Sequence, residues 1–160
     1  MTEMSECLFC KIIAGEIPCF KIHEDVETFA FLDINPSAPG HTLVIPKKHA
    51  KDIFEIDMQS LQAVSSTVKL MAEKIRGALQ ADVTVLQNNG RAAGQVIDHF
   101  HFHVIPRRAG DRLPLSHIGP RAAPEVLTEI QKRLTAGAAT AAAPQYEKRV
   151  KDALSDWDRL

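Results

Sequence analysis

The stretch "QVIDHFHFHVIPRR", residues 95–108, decides how the chain is read. Three of the seven histidines stand in it, His99, His101 and His103, alternating with Phe100, Phe102 and Val104. Side chains alternate across a strand, so this spacing predicts a strand with a histidine face and an apolar face. Pro106 closes it, because proline cannot donate to a ladder. The aromatic face is expected to pack under a helix, leaving the histidines on the open side of the sheet.

Upstream, "LFCKIIA" (8–14) predicts a short helix ended by Gly15, and "IPCFKIHED" alternates like a strand. "TFAFLDI" (28–34) is a second strand, with Phe29 and Phe31 on one face. "HTLVIP" (41–46) is a third, apolar enough to be central, after the loop "NPSAPGH". Asp57 suits an N-cap. After it, Leu61, Val64, Val68, Met71, Ile75 and Leu79 recur at helical spacing. "VTVLQ" (83–87) is a fourth strand, and the histidine stretch the fifth. Strands with one long helix, not alternating βαβ units, predict an α+β fold with a mostly antiparallel five-stranded sheet.

Beyond Arg108 the character changes. Pro124 fits the first position of a helix running to about Leu134. "AGAATAAAP" (136–144) reads as a low-complexity linker, and Tyr146, Val150, Leu154 and Trp157 form a weak helical stripe. The chain divides into a domain at 1–112 and a helical C-terminal extension at 113–160.

Bulk properties exclude several function classes. The 160 residues suit one domain with an appendage, and a net charge of −1 gives no global case for binding nucleic acid or membrane. The longest apolar runs are too short to span a bilayer. "MTEMSECLFC" lacks the basic and apolar segments of a secretory signal. Three cysteines, two of them in a CxxC, suit a reducing, cytoplasmic setting.

Imidazole at neutral pH serves as nucleophile, acid or metal ligand. From spacing alone, metal binding and catalysis are evenly matched for the three histidines. The loop "NNGRAAGQ" tips the balance. Its glycines, Gly90 and Gly94, let backbone N–H groups turn toward an anion. A phosphate cradle then runs straight into a possible nucleophile.

"HFHFHVI" fits the pattern His-φ-His-φ-His-φ-φ, φ being hydrophobic, and resembles the signature of the histidine triad (HIT) family. "CLFCKIIAGEIPCFKIHEDVETFAFLDINPSAPGHTLVIPKKHAKDI" is similar to the amino-terminal half of its Hint-like branch and bacterial relatives. "NNGRAAGQVIDHFHFHVIPRRAGD" resembles both that branch and the Fhit-like branch. The resemblance covers roughly residues 5–112 and implies a HIT-like fold, a homodimer, and hydrolysis at the α-phosphate of a purine nucleotide. The implied substrate is a nucleoside phosphoramidate, the alternative a dinucleoside polyphosphate. A non-catalytic nucleotide sensor is the reading from another class.

The resemblance also implies roles. His101 is the nucleophile and His103 a phosphate contact. Gly94, Gln95, Val96 and Asn88 lie around the phosphate, Asp33 binds ribose hydroxyls, and Phe9, Ile12, Phe31 and Ile34 build the base pocket. Some bacterial members place zinc on positions matching Cys7, Cys10, His49 and His99. That Cys2His2 set is chemically sound for a structural zinc. One departure stands out: many relatives carry Ser or Thr where this chain has Val96, which puts leaving-group preference in question.

Overall fold

The computed structural model of the chain describes residues 7–113 and 121–136. In chain order the elements are α1 (Leu8–Ile13), β1 (Lys21–Glu24), β2 (Thr28–Leu32), β3 (Thr42–Pro46), α2 (Met58–Leu79), β4 (Asp82–Leu86), β5 (Phe102–Arg107) and α3 (Pro124–Thr135). The strands form one antiparallel sheet in the order β1-β2-β3-β5-β4. The expected α+β class, with a five-stranded antiparallel sheet and one long helix, is the one observed. β3 is central and buried along its whole length, as its apolar run predicts.

The sheet has a different core on each face. On one, Ala30, Leu32, Val44, Phe100 and Val104 pack with the apolar stripe of α2 and with α3. The stripe starts where expected, because the Asp57 carboxylate accepts the Ser60 N–H at 2.8 Å. On the other face, Phe9 and Ile12 of α1 pack on Phe29, Phe31, Leu43 and Ile45. Period-two alternation in β2 and β3 feeds the two cores from the same strands.

α3 begins with Pro124 at its start and buries Leu127, Ile130 and Leu134. Each such side chain contributes about 1.5–3 kcal/mol by leaving water. α3 is therefore an integral part of the core. The Ala-rich linker beyond Ala136 and the stripe from Tyr146 to Trp157 lie outside the described residues.

Two expectations need correction. The histidine stretch is not a strand throughout: ladder pairing starts at Phe102. Before it, Phe100 N–H donates to the Ala50 carbonyl at 2.7 Å, so the extended chain follows the irregular segment after β3 rather than a strand. Nor is the histidine face open. α1 covers it, with the Phe9 ring edge-on to His99 and His101 at centroid distances of 5.8 and 5.4 Å. Smaller differences trim β1 to Lys21–Glu24, end β2 at Leu32, and shift β4 to Asp82–Leu86. Among the described residues, no helix is long and apolar enough to cross a membrane.

Candidate active site

His99, His101 and His103 are 0%, 5% and 3% exposed, so their proton positions are set by the protein rather than by solvent. A carbonyl only accepts, which makes the tautomers legible. His101 Nδ1 lies 2.6 Å from the His99 carbonyl oxygen, so Nδ1 carries the proton. Nε2 then holds the lone pair. In the neutral ring that lone pair faces away from the His99 carbonyl.

His103 is oriented by a residue to which the sequence reading gave no role. The Ser37 N–H donates to His41 Nδ1 at 3.1 Å. A backbone N–H has no other option, so His41 in its neutral form carries its proton on Nε2. That proton is donated to His103 Nδ1 at 2.9 Å. Neutral His103 is left with an Nε2–H donor, its ring centroid 4.9 Å from that of His101. The Asp33 carboxylate stands 3.8 Å from His41 Nδ1. That is too long for a hydrogen bond. The pairing of β3 with β5 creates this contact by setting Leu43 opposite His103. The available signal was a histidine entering a buried strand right after "PG".

His99 faces elsewhere. Its Nε2–H donates to the Pro46 carbonyl at 2.9 Å, which turns the Nδ1 lone pair toward Cys7, Cys10 and His49. The four ligand atoms lie within 4.8 Å of one another. Cys7 Sγ and Cys10 Sγ are 3.5 and 3.7 Å from His99 Nδ1. Cys10 Sγ is 3.4 Å from His49 Nδ1, and the two Nδ1 atoms are 3.3 Å apart. Tetrahedral zinc, with bonds of about 2.3 Å to sulfur and about 2.0–2.1 Å to nitrogen, requires edges of about 3.5 Å for S···N and about 3.3 Å for N···N. The cluster has the dimensions of a metal site. Burial pushes the Cys10 thiol up to about 11, with the Cys7 thiol adding to the effect. Burial also pushes His99 down to about 4, the nearby His49 and His101 adding to it against the pull of the Pro46 carbonyl. Such a site favours neutral ligands until a cation reverses the balance.

A triad split in this way, with one histidine facing a Cys2His2 cluster and two facing each other, sits in the part of the chain where the HIT domain matches, residues 14–110. The chain belongs to the HIT family. Its intact triad makes it a HIT-type nucleotidyl hydrolase. It is 47% identical over 105 residues to an uncharacterised HIT-like protein of Methanocaldococcus jannaschii, a match covering 66% of this chain and 81% of that one. It is 46% identical over 101 residues to an adenosine 5'-monophosphoramidase of Schizosaccharomyces pombe, covering 63% and 74%. Its fold is similar to the crystal structure of a zinc-bound histidine triad family protein from Mycobacterium smegmatis, with a TM-score of 0.75, 36% identity, and coverage of 83% and 93%.

The loop before the HIT triad is more tightly self-bonded than its sequence suggests. Gly90 and Gly94 have φ of 82° and 88°, the left-handed region open to glycine. The Gly94 N–H donates to the Arg91 carbonyl, and the Gln95 N–H to the Gly90 carbonyl. The Gln95 side chain, expected at the phosphate, is turned inward. Its Oε1 accepts from Gly90 N–H at 2.7 Å, and its Nε2 donates to the Lys51 and Ile97 carbonyls. Gln95 thus shapes the loop. Val96 projects outward, 68% exposed, and its N–H is outside the loop's internal bonds. Asn88 is half-buried beside this loop.

The base-pocket candidates divide. Phe9, Ile12 and Phe31 are buried in the second core, whereas Ile34 is exposed. Asp33 Oδ1 accepts the Asn35 N–H at 2.8 Å in a turn, the ordinary local habit of Asp. Arg107 is clamped by both Asp111 carboxylate oxygens, and Arg108 donates to the Leu79 carbonyl. Both guanidinium groups are engaged in holding the fold.

Proposed function

We propose that this HIT hydrolase cleaves the bond between the α-phosphate of a purine nucleotide and an amine, as a nucleoside phosphoramidase. The observation that carries this reading is the 2.6 Å bond from His101 Nδ1–H to the His99 carbonyl, which leaves Nε2 as the nucleophile. His101 Nε2 attacks phosphorus and forms a P–N bond. The substrate's P–N bond breaks, and the departing nitrogen takes the bonding pair and a proton from solvent. Water then adds to phosphorus, the pair returns to Nε2, and the water proton is released. The covalent intermediate divides one difficult displacement into two easier ones. While Nε2 carries the nucleotide the ring is cationic, and the His99 carbonyl dipole stabilises it. His103 Nε2–H, held by His41, donates to the phosphate oxygens, and the Val96 N–H joins it. Asp33 receives the ribose hydroxyls, with Ile34 at the rim of the base pocket and Phe9, Ile12 and Phe31 behind it.

Similarity to yeast proteins named adenosine 5'-monophosphoramidases supports the amine leaving group. The engagement of Arg107 and Arg108 in structural bonds weighs against a longer polyphosphate substrate, which would need cations for its extra charge. Val96 supplies no hydroxyl to assist departure, which suits a leaving group basic enough to take its proton from solvent.

Zinc on Cys7, Cys10, His49 and His99 is structural in this reading, because four protein ligands complete a tetrahedron and leave no open position. It ties α1 to the segment preceding β5. The protein acts as a homodimer joined through β4, an edge strand with Val85 exposed. Its thiols suit a cytoplasmic setting.

The test is to mix the protein with adenosine phosphoramidates and the matching guanosine conjugates, quench within the first turnovers, and weigh the peptide containing His101. A nucleotidyl mass on that peptide is the expected result. Absence of both adduct and turnover across the panel would favour the nucleotide sensor.

A further inference from the structure

α3 lies outside the HIT match, which ends at residue 110, yet it reaches the loop that carries Asp33, Ile34 and His41. The loop runs from Asp33 to His41. Its ends are tied, since Asp33 N–H donates to the His41 carbonyl at 2.9 Å. Between them, the Ser37 and Ala38 bonds fold the chain back on His41. The loop also needs support from outside, and the C-terminal extension gives it at two points.

The first is a single backbone bond. Just before α3, the Ala122 N–H donates to the Ile34 carbonyl at 3.0 Å. Ile34 is the neighbour of Asp33. The second is a packing contact. A methyl group built on Gly40 would meet Leu79 Cδ1 at 2.4 Å, Pro106 Cγ at 3.1 Å and Ile130 Cγ2 at 3.8 Å. The turn before His41 is therefore pressed against the ends of α2 and β5 and against Ile130 of α3. Ile130 is itself fully buried, and α3 is further pinned by Gln131 donating to the Lys21 carbonyl and Arg133 to the Ala78 carbonyl.

We infer that the C-terminal extension is a positioning element of the active site: Ala122, through its main-chain N–H, and Ile130, through its side chain, hold the 33–41 loop so that Asp33 meets the ribose diol and His41 meets His103. This rests on the reading of Asp33 as the ribose ligand. A hydrogen bond to a charged group is sensitive to fractions of an ångström, so a loosened loop loses ribose recognition before it loses the fold. Recognition of the 2'-hydroxyl separates this role from plain stabilisation.

The experiment compares AMP with 2'-deoxy-AMP by calorimetry on the full chain. The wild type should prefer AMP on the order of tenfold, the worth of a hydrogen bond to a carboxylate. Asp33→Asn should collapse that preference. Ala122→Pro, which removes the donor, and Ile130→Ala should each reduce it severalfold by weakening AMP alone. Leu134→Ala, at the far end of the same buried face, should lower Tm with the preference intact. If Asp33→Asn leaves the preference unchanged, the ribose reading fails and takes the inference with it. If Asp33→Asn collapses it but Ala122→Pro and Ile130→Ala keep the wild-type ratio, the positioning role alone is overturned. Hydrogen exchange on the unmutated protein stands apart from any folding failure of the variants. The Ala122 amide should be protected and slowed further by AMP, and free exchange with or without AMP would overturn the bond's role.

Discussion

His101 and His99 are joined by more than their place in one motif: the Nδ1–H of one donates to the main-chain carbonyl of the other at 2.6 Å. The same His99 turns its own ring toward Cys7, Cys10 and His49. One residue thus sets the His101 tautomer with its backbone and faces the Cys2His2 cluster with its side chain. His101→Asn removes the Nε2 lone pair but keeps a polar side chain of similar length. Turnover should fall on the order of a thousandfold or more, since no other group replaces a covalent nucleophile. Nucleotide affinity should stay within a few-fold, checked by calorimetry beside steady-state assays.

The relay gives a second expectation. His41→Ala deletes the donor to His103 Nδ1, so the His103 ring loses the partner that fixes its orientation. Losing an orienting partner of this kind should reduce kcat about ten- to a hundredfold, with a smaller effect on KM. His41→Gln, whose amide could restore a donor, should recover part of the loss. Equal damage in both variants would argue that His41 acts only as core packing.

How much of this was legible in the sequence follows from the range of the interactions. Alternation within β2 and β3 and the α2 stripe are local, so the strands, the helix and the α+β class could be read directly. The relay is not local: His41 and His103 are 62 positions apart, and only the β3–β5 register unites them. The fate of Gln95 was hidden for a related reason. Its partner Lys51 is 44 positions away, and nothing in "GRAAGQ" says that the amide turns inward. The cover over the histidine face was also missed, because α1 is too short for its apolar side to reveal which surface it caps. The Cys2His2 set came from resemblance, and the observed ligand distances agree with it.

In the structural-zinc reading, removing the metal should cost stability more than chemistry. Cys10→Ser, or a strong chelator, should lower Tm by several degrees and abolish bound zinc, measured by elemental analysis. Protein that stays folded at low temperature should keep most of its turnover, because the His101 Nδ1–H bond to the His99 carbonyl involves no ligand atom. Prompt loss of activity with an unchanged circular dichroism spectrum would instead point to a catalytic metal.

The metal-free protein should also be acid-sensitive in a defined window. His99 titrates near 4 in the folded chain, pushed down first by burial and then by His49 and His101, against an ordinary value of about 6.5. Between these values the unfolded chain binds the proton and the folded chain does not. Stability is therefore intact above about pH 6.5 and falls as the pH drops toward 4. Urea midpoints of chelated protein should decline across that range, and His99→Gln should flatten the decline. A slope unaffected by the substitution would assign the acid sensitivity to other groups.

Val96 offers the sharpest test of leaving-group choice, because it can be changed without disturbing the fold. It is 68% exposed, so Val96→Ser gives up little buried apolar surface and should move Tm by no more than about 1–2 °C. The new hydroxyl would stand at the end of the glycine loop, just after Gln95 and upstream of His101. A hydroxyl there can pass a proton to the departing atom, which helps a poor leaving group more than a good one. The variant should therefore gain kcat on conjugates of strongly basic alkyl amines, severalfold or more, and change little on conjugates of aromatic amines. A plot of log kcat against the leaving amine's pKa should be shallower for the variant than for the parent. Parallel lines would mean that proton delivery to the leaving group does not pass through this position.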